Sequence, residues 1–145
     1  MANTQSLCTS FKGELLVGHH NFGTGVVRAA TTEDTFKAAL YLASATVNAS
    51  TTAYSATNEV SGTGYTAGGV TVTFGTAPST SGTTAFVTPS ASITYTTVTL
   101  ATAFDAVLIY NSTQSNKAVS VHTFGSQTVT AGTFTLTMPT NDAST

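Results

Sequence analysis

Charge is what this sequence has least of. Of its 145 residues only 7% are Asp, Glu, Lys or Arg, against about 25% in an ordinary soluble domain. The four basic residues, Lys12, Arg28, Lys37 and Lys117, are scattered, and the net charge is −2. Such a set cannot neutralise a run of phosphates, which excludes a nucleic-acid footprint. A single cysteine, Cys8, cannot close an internal disulfide, so the fold is not stapled and the thiol reads as packed and passive. Tryptophan is absent, which leaves a sugar-stacking platform without its usual residue. No apolar run approaches the ~20 residues of a membrane span. Residues 1–10 have neither the basic region nor the apolar core of a signal peptide.

Thr, Ser, Gly and Ala replace the missing charge. Hydrophobic residues make up 41%, enough for one domain of this length to bury its own core. Thr is β-branched and polar and suits the wet face of a strand. A surface with so little charge fits a secreted β-protein with a neutral polar coat. It also fits a subunit whose faces are covered in an assembly, because charged residues are depleted at interface cores. Assembly is favoured, since a free monomer of net charge −2 has little colloidal protection.

The clearest stretch is 103–138. Residues 104–110 are apolar on both faces, the mark of a central strand covered on both sides. Residues 111–116 are a polar turn, 117–124 a second strand, 125–127 a break, and 129–138 a third strand in which Phe134, Leu136 and Met138 alternate with threonines. Upstream, residues 10–17 predict a short helix: Thr9 or Ser10 can cap it, Phe11 and Leu15 share a face, and Gly18 stops it. Residues 35–44 fit a helical face as well, but the alternation of Phe36, Ala38, Leu40 and Leu42 between Thr-rich flanks favours a strand. Residues 47–57 read as a loop or short edge strand, and 59–69 as a glycine-rich loop pinned by Tyr65. Strands follow at 70–76, 83–87 and 93–100, with a turn at 78–82. In the last strand Ile93 and Tyr95 share one phase and Val98 and Leu100 the other, which predicts a β-bulge or a change of sheet between them. The pattern predicts a mainly β fold: an antiparallel β-sandwich, jelly-roll or Ig-like, with one short N-terminal helix. Residues 1–9 form a flexible arm, 10–139 the domain and 140–145 a loose tail.

The chemistry-bearing residues form no familiar constellation. Gly62, Gly64 and Gly68 lack the spacing and the following helix of a dinucleotide site, and no Lys completes a Walker pattern. Glu33 and Asp34 read as solvated turn residues. Asp105, at the start of the central strand, reads as a structural carboxylate accepting backbone or hydroxyl donors. His19, His20 and His122 lack ligand spacing, so no metal is expected, and no cofactor. No serine sits in a nucleophile elbow, so no catalytic residue is assigned and the chain is not expected to be an enzyme.

Several stretches, in order, carry a resemblance: SFKGELL (10–16), GHHNF (18–22), DTFK (34–37), EVSGTGYTAGG (59–69), AVLIYN (106–111) and the strand 118–125. Together they resemble small virion structural proteins of tailed bacteriophages, of capsid decoration or cement type. The resemblance implies a non-enzymatic virion structural protein, made in the host cytoplasm, and does not place it within the particle; low charge, Thr-rich strands and a loose N-terminal arm fit a decoration protein on the capsid surface, and that reading carries the expectations that follow. It implies as partners the major capsid protein or other virion proteins, and copies of itself, with a trimer favoured. A tail, collar or neck component is the alternative within the particle. A receptor- or carbohydrate-binding module of a fibre is the alternative outside that class, and it needs exposed aromatics and carboxylates at 59–69. The residues expected at a partner interface are Phe11, Leu15, Phe22 and Tyr65.

Overall fold

A computed structural model of the chain describes residues 3–8, 10–11, 19–24, 33–75, 79–81 and 84–142. Seven strands stand among them: β1 (Ser6–Leu7), β2 (Phe36–Leu42), β3 (Val70–Val72), β4 (Ser79–Ser81), β5 (Thr84–Phe86), β6 (Ile93–Asn111) and β7 (Lys117–Leu136). Five of them form one antiparallel sheet in the order β1-β7-β6-β2-β3, and β4 and β5 form a separate two-stranded ribbon. The fold is mainly β, as the alternation predicts. Of the expected helix only Ser10 and Phe11 lie among the described residues, both in helical conformation, and the rest of it lies outside them. Residues 79–81, read as turn, are a strand of the ribbon.

The apolar run 104–110 lies inside β6, at the middle of the sheet, and every side chain from Ala106 to Asn111 is buried. Its neighbour β2 is the strand that the alternation favoured over a helix. There Ala39 and Tyr41 are buried along with Phe36, Ala38 and Leu40, so both faces of β2 are covered as well. The turn 112–116 is built by Asn111. Its side-chain carbonyl accepts the backbone N–H groups of Thr113 and Gln114, each at 3.1 Å, and Ser115 and Asn116 close the turn with φ of 54° and 59°. Such an Asx arrangement presets a reversal.

Four strands were expected across 93–138, and the structure has two, of 19 and 20 residues. Gly125 and the small residues at 101–103 do not end strands. They sit at bulges. From Leu100 to Phe104 four steps of β6 face two of β7, from Val129 to Gln127; from Phe104 to Ala106 two steps of β6 face four of β7, from Gln127 to Thr123. A smaller shift falls between Tyr95 and Val98, where the phase flip placed it, with Thr97 at φ 54°. Bulges bend a ladder without breaking it. Here they fold the hairpin back on itself. The rings of Phe124 and Phe134 lie 5.0 Å apart, although ten residues of unbent strand span about 33 Å. Tyr95, on the returning half, donates its phenol to the carbonyl of Ala38 in β2 at 2.8 Å.

Residues 3–8, expected as an arm, run along the sheet's edge. Ser6 and Leu7 pair with Val121 and Ser120. Thr4 donates its N–H to Val47 and Cys8 to Val119, and the Asn3 amide donates to Leu42 and to Asp105. Asp105 is thus a structural carboxylate, with a side-chain amide as its donor. Cys8 is fully buried.

Candidate functional site

Three places gather polar or aromatic groups, and two of them contain residues expected at an interface. The first is an apolar cavity of about 280 Å3 lined by Leu7, Phe11, Phe22, Phe74, Ile109 and Met138 among others. Phe22 is its keystone. It stacks on Phe36 at 4.9 Å between centroids and meets Phe74 edge-on at 5.2 Å and Phe11 at 5.9 Å. Phe11 is buried and Phe22 half-buried, so these rings spend most of their area on the body of the domain. At the lip stands Leu7, 44% exposed, the one large hydrophobic side chain open to solvent among the described residues. The sequence reading missed it, because a lone leucine in a short polar segment carries no periodic signal. Leu15 lies outside the described residues.

One wall of this cavity holds Ser120 and His122, two apart on β7 and so on one face of the strand, with the hydroxyl and Nε2 3.0 Å apart. Burial pushes the His122 imidazole below its ordinary pKa, so the ring is neutral near pH 7. A hydroxyl against a neutral imidazole is the first half of a nucleophile–base pair, and a third group must orient the base to complete it. Among the described residues no carboxylate bonds to His122. The pair therefore satisfies two polar groups in an apolar wall, which is what burial demands of them.

The second place is the loop 59–69, which Tyr65 was expected to pin. Tyr65 does so from both sides. Its phenol donates to Glu59 Oε1 at 2.7 Å and accepts the backbone N–H of Leu40 at 3.0 Å. The Tyr54 phenol donates to Glu59 Oε2 at 2.7 Å, and the N–H of Gly68 donates to Oε1 at 2.7 Å. Tyr110 donates to the carbonyl of Gly68 at 2.8 Å and stacks on Tyr54 at 4.7 Å. Tyr65 stacks on Tyr95 at 5.9 Å. Desolvation raises all five tyrosines above their ordinary pKa, with the Glu59 carboxylate adding to the effect, and Tyr41 is pushed up to about 12. Glycine is required where this loop closes on the sheet: a Cβ on Gly69, at φ +74°, would collide with the carbonyl oxygen of Ala38. Thr63 bridges to Thr99, so the loop also covers the outer edge of β6. The aromatic and carboxylate groups of this loop are thus spent on holding it down and are not presented to a ligand.

The third place is the polar cluster beneath the hairpin turn. The Asn111 amide, fully buried, donates to Asp34 Oδ2 at 2.7 Å and lies 3.2 Å from His20 Nδ1; the Gln114 amide donates to Asp34 Oδ1 at 3.2 Å. Asp34 was expected in solvent with Glu33. Glu33 is exposed, but Asp34 is buried, because the turn needs an acceptor beneath it. His20 packs edge-on against Phe11 at 4.7 Å. The three histidines are not brought to one point, and no group of three or more His, Cys, Asp or Glu among the described residues is arranged to hold a metal ion. No helix among the described residues is long and apolar enough to cross a membrane.

What remains open is the returning half of the β6–β7 hairpin. Thr96, Thr97, Thr128, Thr130, Thr133 and Thr135 are exposed on it. No Asp, Glu, Lys or Arg occurs from 60 to 104 or from 118 to 141. Comparison of the chain with protein-family models, with curated proteins and with solved structures gave no match.

Proposed function

We propose that the chain is a non-enzymatic structural protein of a tailed-phage virion that binds the outside of the capsid and braces neighbouring subunits. The observation that carries this reading is the uncharged, threonine-covered returning half of the hairpin. A surface of this kind lacks the charge that keeps monomers apart in solution, yet it offers hydroxyl and methyl groups to a protein partner without the desolvation cost of buried charge. The sequence resemblance supplies the particle. The cross-linked body suits a bracing role, because loops tied down by Tyr65, Asn111 and Asn3 leave a rigid platform. In this reading the five-stranded sheet is one layer of a sandwich, the folded-back hairpin and the β4–β5 ribbon belong to the second, and the protein acts as a homo-oligomer against the major capsid protein. Binding alone does the work, with no turnover.

The experiment is reconstitution. Phage shells lacking the protein are mixed with purified chain, sedimented, and heated in low salt. Saturable co-sedimentation at hundreds of copies per shell, with raised resistance to heat, is the expected result. Shells that neither bind the protein nor gain resistance overturn the proposal. Binding at a few copies per particle assigns the protein to the tail or neck instead.

A further inference from the structure

The outer edge of β7 is largely without a strand partner among the described residues. β1 covers it only at Ser120 and Val121, with Cys8 bonding to Val119. From Thr123 to Leu136 no backbone–backbone hydrogen bond reaches that edge among the described residues. Bulges interrupt the first part, where four steps of β7 face two of β6, and again between Gly132 and Val129, where three face two. The stretch 132–136 ends in a regular ladder: Leu136, Thr135 and Phe134 pair in step with Ile93, Thr94 and Tyr95 on the inner side. Natural sheets guard such edges with Lys, Pro or inward charge. This one has none of these before Pro139.

The sequence along the edge is nearly the same read in either direction. Thr133-Phe134-Thr135-Leu136-Thr137 has Thr at both ends and at the centre, with one apolar residue on each side. Thr133, Thr135 and Thr137 are exposed; Phe134 and Leu136 are half-buried. An antiparallel strand of the same sequence, related by a two-fold axis through Thr135, brings Thr135 opposite Thr135, Thr133 opposite Thr137 and Phe134 opposite Leu136. Thr–Thr and aromatic–aliphatic pairs are favourable cross-strand neighbours. The apolar pairs would also cover the area that Phe134 and Leu136 leave open. No charge lies along the edge to repel a like copy. A two-fold contact of this kind is self-closing, so it removes the edge without growing a fibre.

We propose that two copies of this chain join through residues 132–137, the end of β7 and the residue after it, in antiparallel register about a two-fold axis at Thr135, making one sheet continuous across the pair. This contact is independent of shell binding and is compatible with a further three-fold contact elsewhere. The test uses the purified full chain without shells, so its failure leaves the capsid reading standing and its success does not establish that reading. Thr135→Lys places two ammonium groups face to face on the axis, at a side chain that was already exposed. The mass in solution, by sedimentation at a fixed concentration, is expected to halve, with the circular dichroism of the fold unchanged; Thr57→Lys, on an exposed loop, should keep the wild-type mass. Mixing Thr135→Lys with Thr135→Glu should restore the mass through mixed pairs, seen in native mass spectrometry. Thr135→Cys should form a disulfide-linked pair under mild oxidation, whereas Thr133→Cys should link only when mixed with Thr137→Cys. A wild-type chain that is monomeric up to millimolar concentration overturns the proposal. So does a Thr135→Lys chain of unchanged mass, or a Thr133→Cys chain that links to itself as readily as Thr135→Cys.

Discussion

Removing one oxygen atom, that of the Tyr65 phenol, should cost more than removing the matching one from Tyr54, although both touch the same carboxylate. In Tyr65→Phe two bonds go at once. The donated bond to Glu59 Oε1 is charge-assisted, and bonds of that class contribute about 1.5–3 kcal/mol. The accepted bond from Leu40 N–H leaves that donor unpartnered on a residue with no solvent exposure, at a cost of about 1–3 kcal/mol. Glu59 Oε1 keeps the N–H of Gly68, so the carboxylate itself is not orphaned. The ring and its stack on Tyr95 also stay in place. The two losses together come to about 2.5–6 kcal/mol. In Tyr54→Phe one bond to Glu59 Oε2 is lost, on a half-buried side chain where water can substitute, for about 0.5–1.5 kcal/mol. Urea unfolding at one protein concentration reads the difference as a shift in midpoint at constant slope. Hydrogen exchange should show the Leu40 amide losing protection in Tyr65→Phe alone. Equal losses in the two variants, or a Tyr65→Phe loss under about 1 kcal/mol, would refute the reasoning that the phenol bridges loop and sheet.

Other outcomes follow from the same geometry. Gly69→Ala should destabilise by about 2–4 kcal/mol or prevent folding, since it adds a Cβ onto the Ala38 carbonyl at a left-handed φ, whereas Gly125→Ala, where a Cβ meets nothing within 4 Å, should be neutral or raise stability by about 0.5–1 kcal/mol; thermal melts separate the two. The imidazole of His122 is lowered in the folded chain by burial, so the unfolded chain binds more protons in the window below its unfolded pKa of about 6.5. Stability should be full above that pH and fall as pH drops through the folded pKa, and His122→Gln should flatten the fall in urea midpoints. The tyrosines are raised in the folded chain, Tyr41 to about 12, so their contribution is present below an unfolded pKa of about 10 and is lost as pH rises. Absorbance at the tyrosinate band should therefore appear together with unfolding and not before it.

The central strand was legible because an apolar run without Gly or Pro, with both faces apolar from Ala106 to Tyr110, has few alternatives to the middle of a sheet. The bulge after Tyr95 was legible for a similar reason: a phase flip inside one strand requires an extra residue. The length of β6 and β7 was not legible. Gly125 and the small residues at 101–103 read as punctuation, and only the register of the facing strand reveals that they sit at bulges. The expected interface residues divide along the same line. Phe11 and Phe22 do meet, at one cavity. Tyr65 holds its own loop, as read, but its polar partners lie 6 and 25 positions away, a separation that no local pattern encodes. Asp34 was misread because its partner, Asn111, is 77 positions distant. Leu7 was missed because a single exposed side chain gives no period.

If this rigid, charge-poor body exists to be built into a particle, electron microscopy of virions carrying the genome that encodes the chain should find it there. Density for the five-stranded sheet and its folded-back hairpin on the outside of the shell, in hundreds of copies, is the expected result. Particles that are complete and infectious with no copy of the chain on any surface would contradict it.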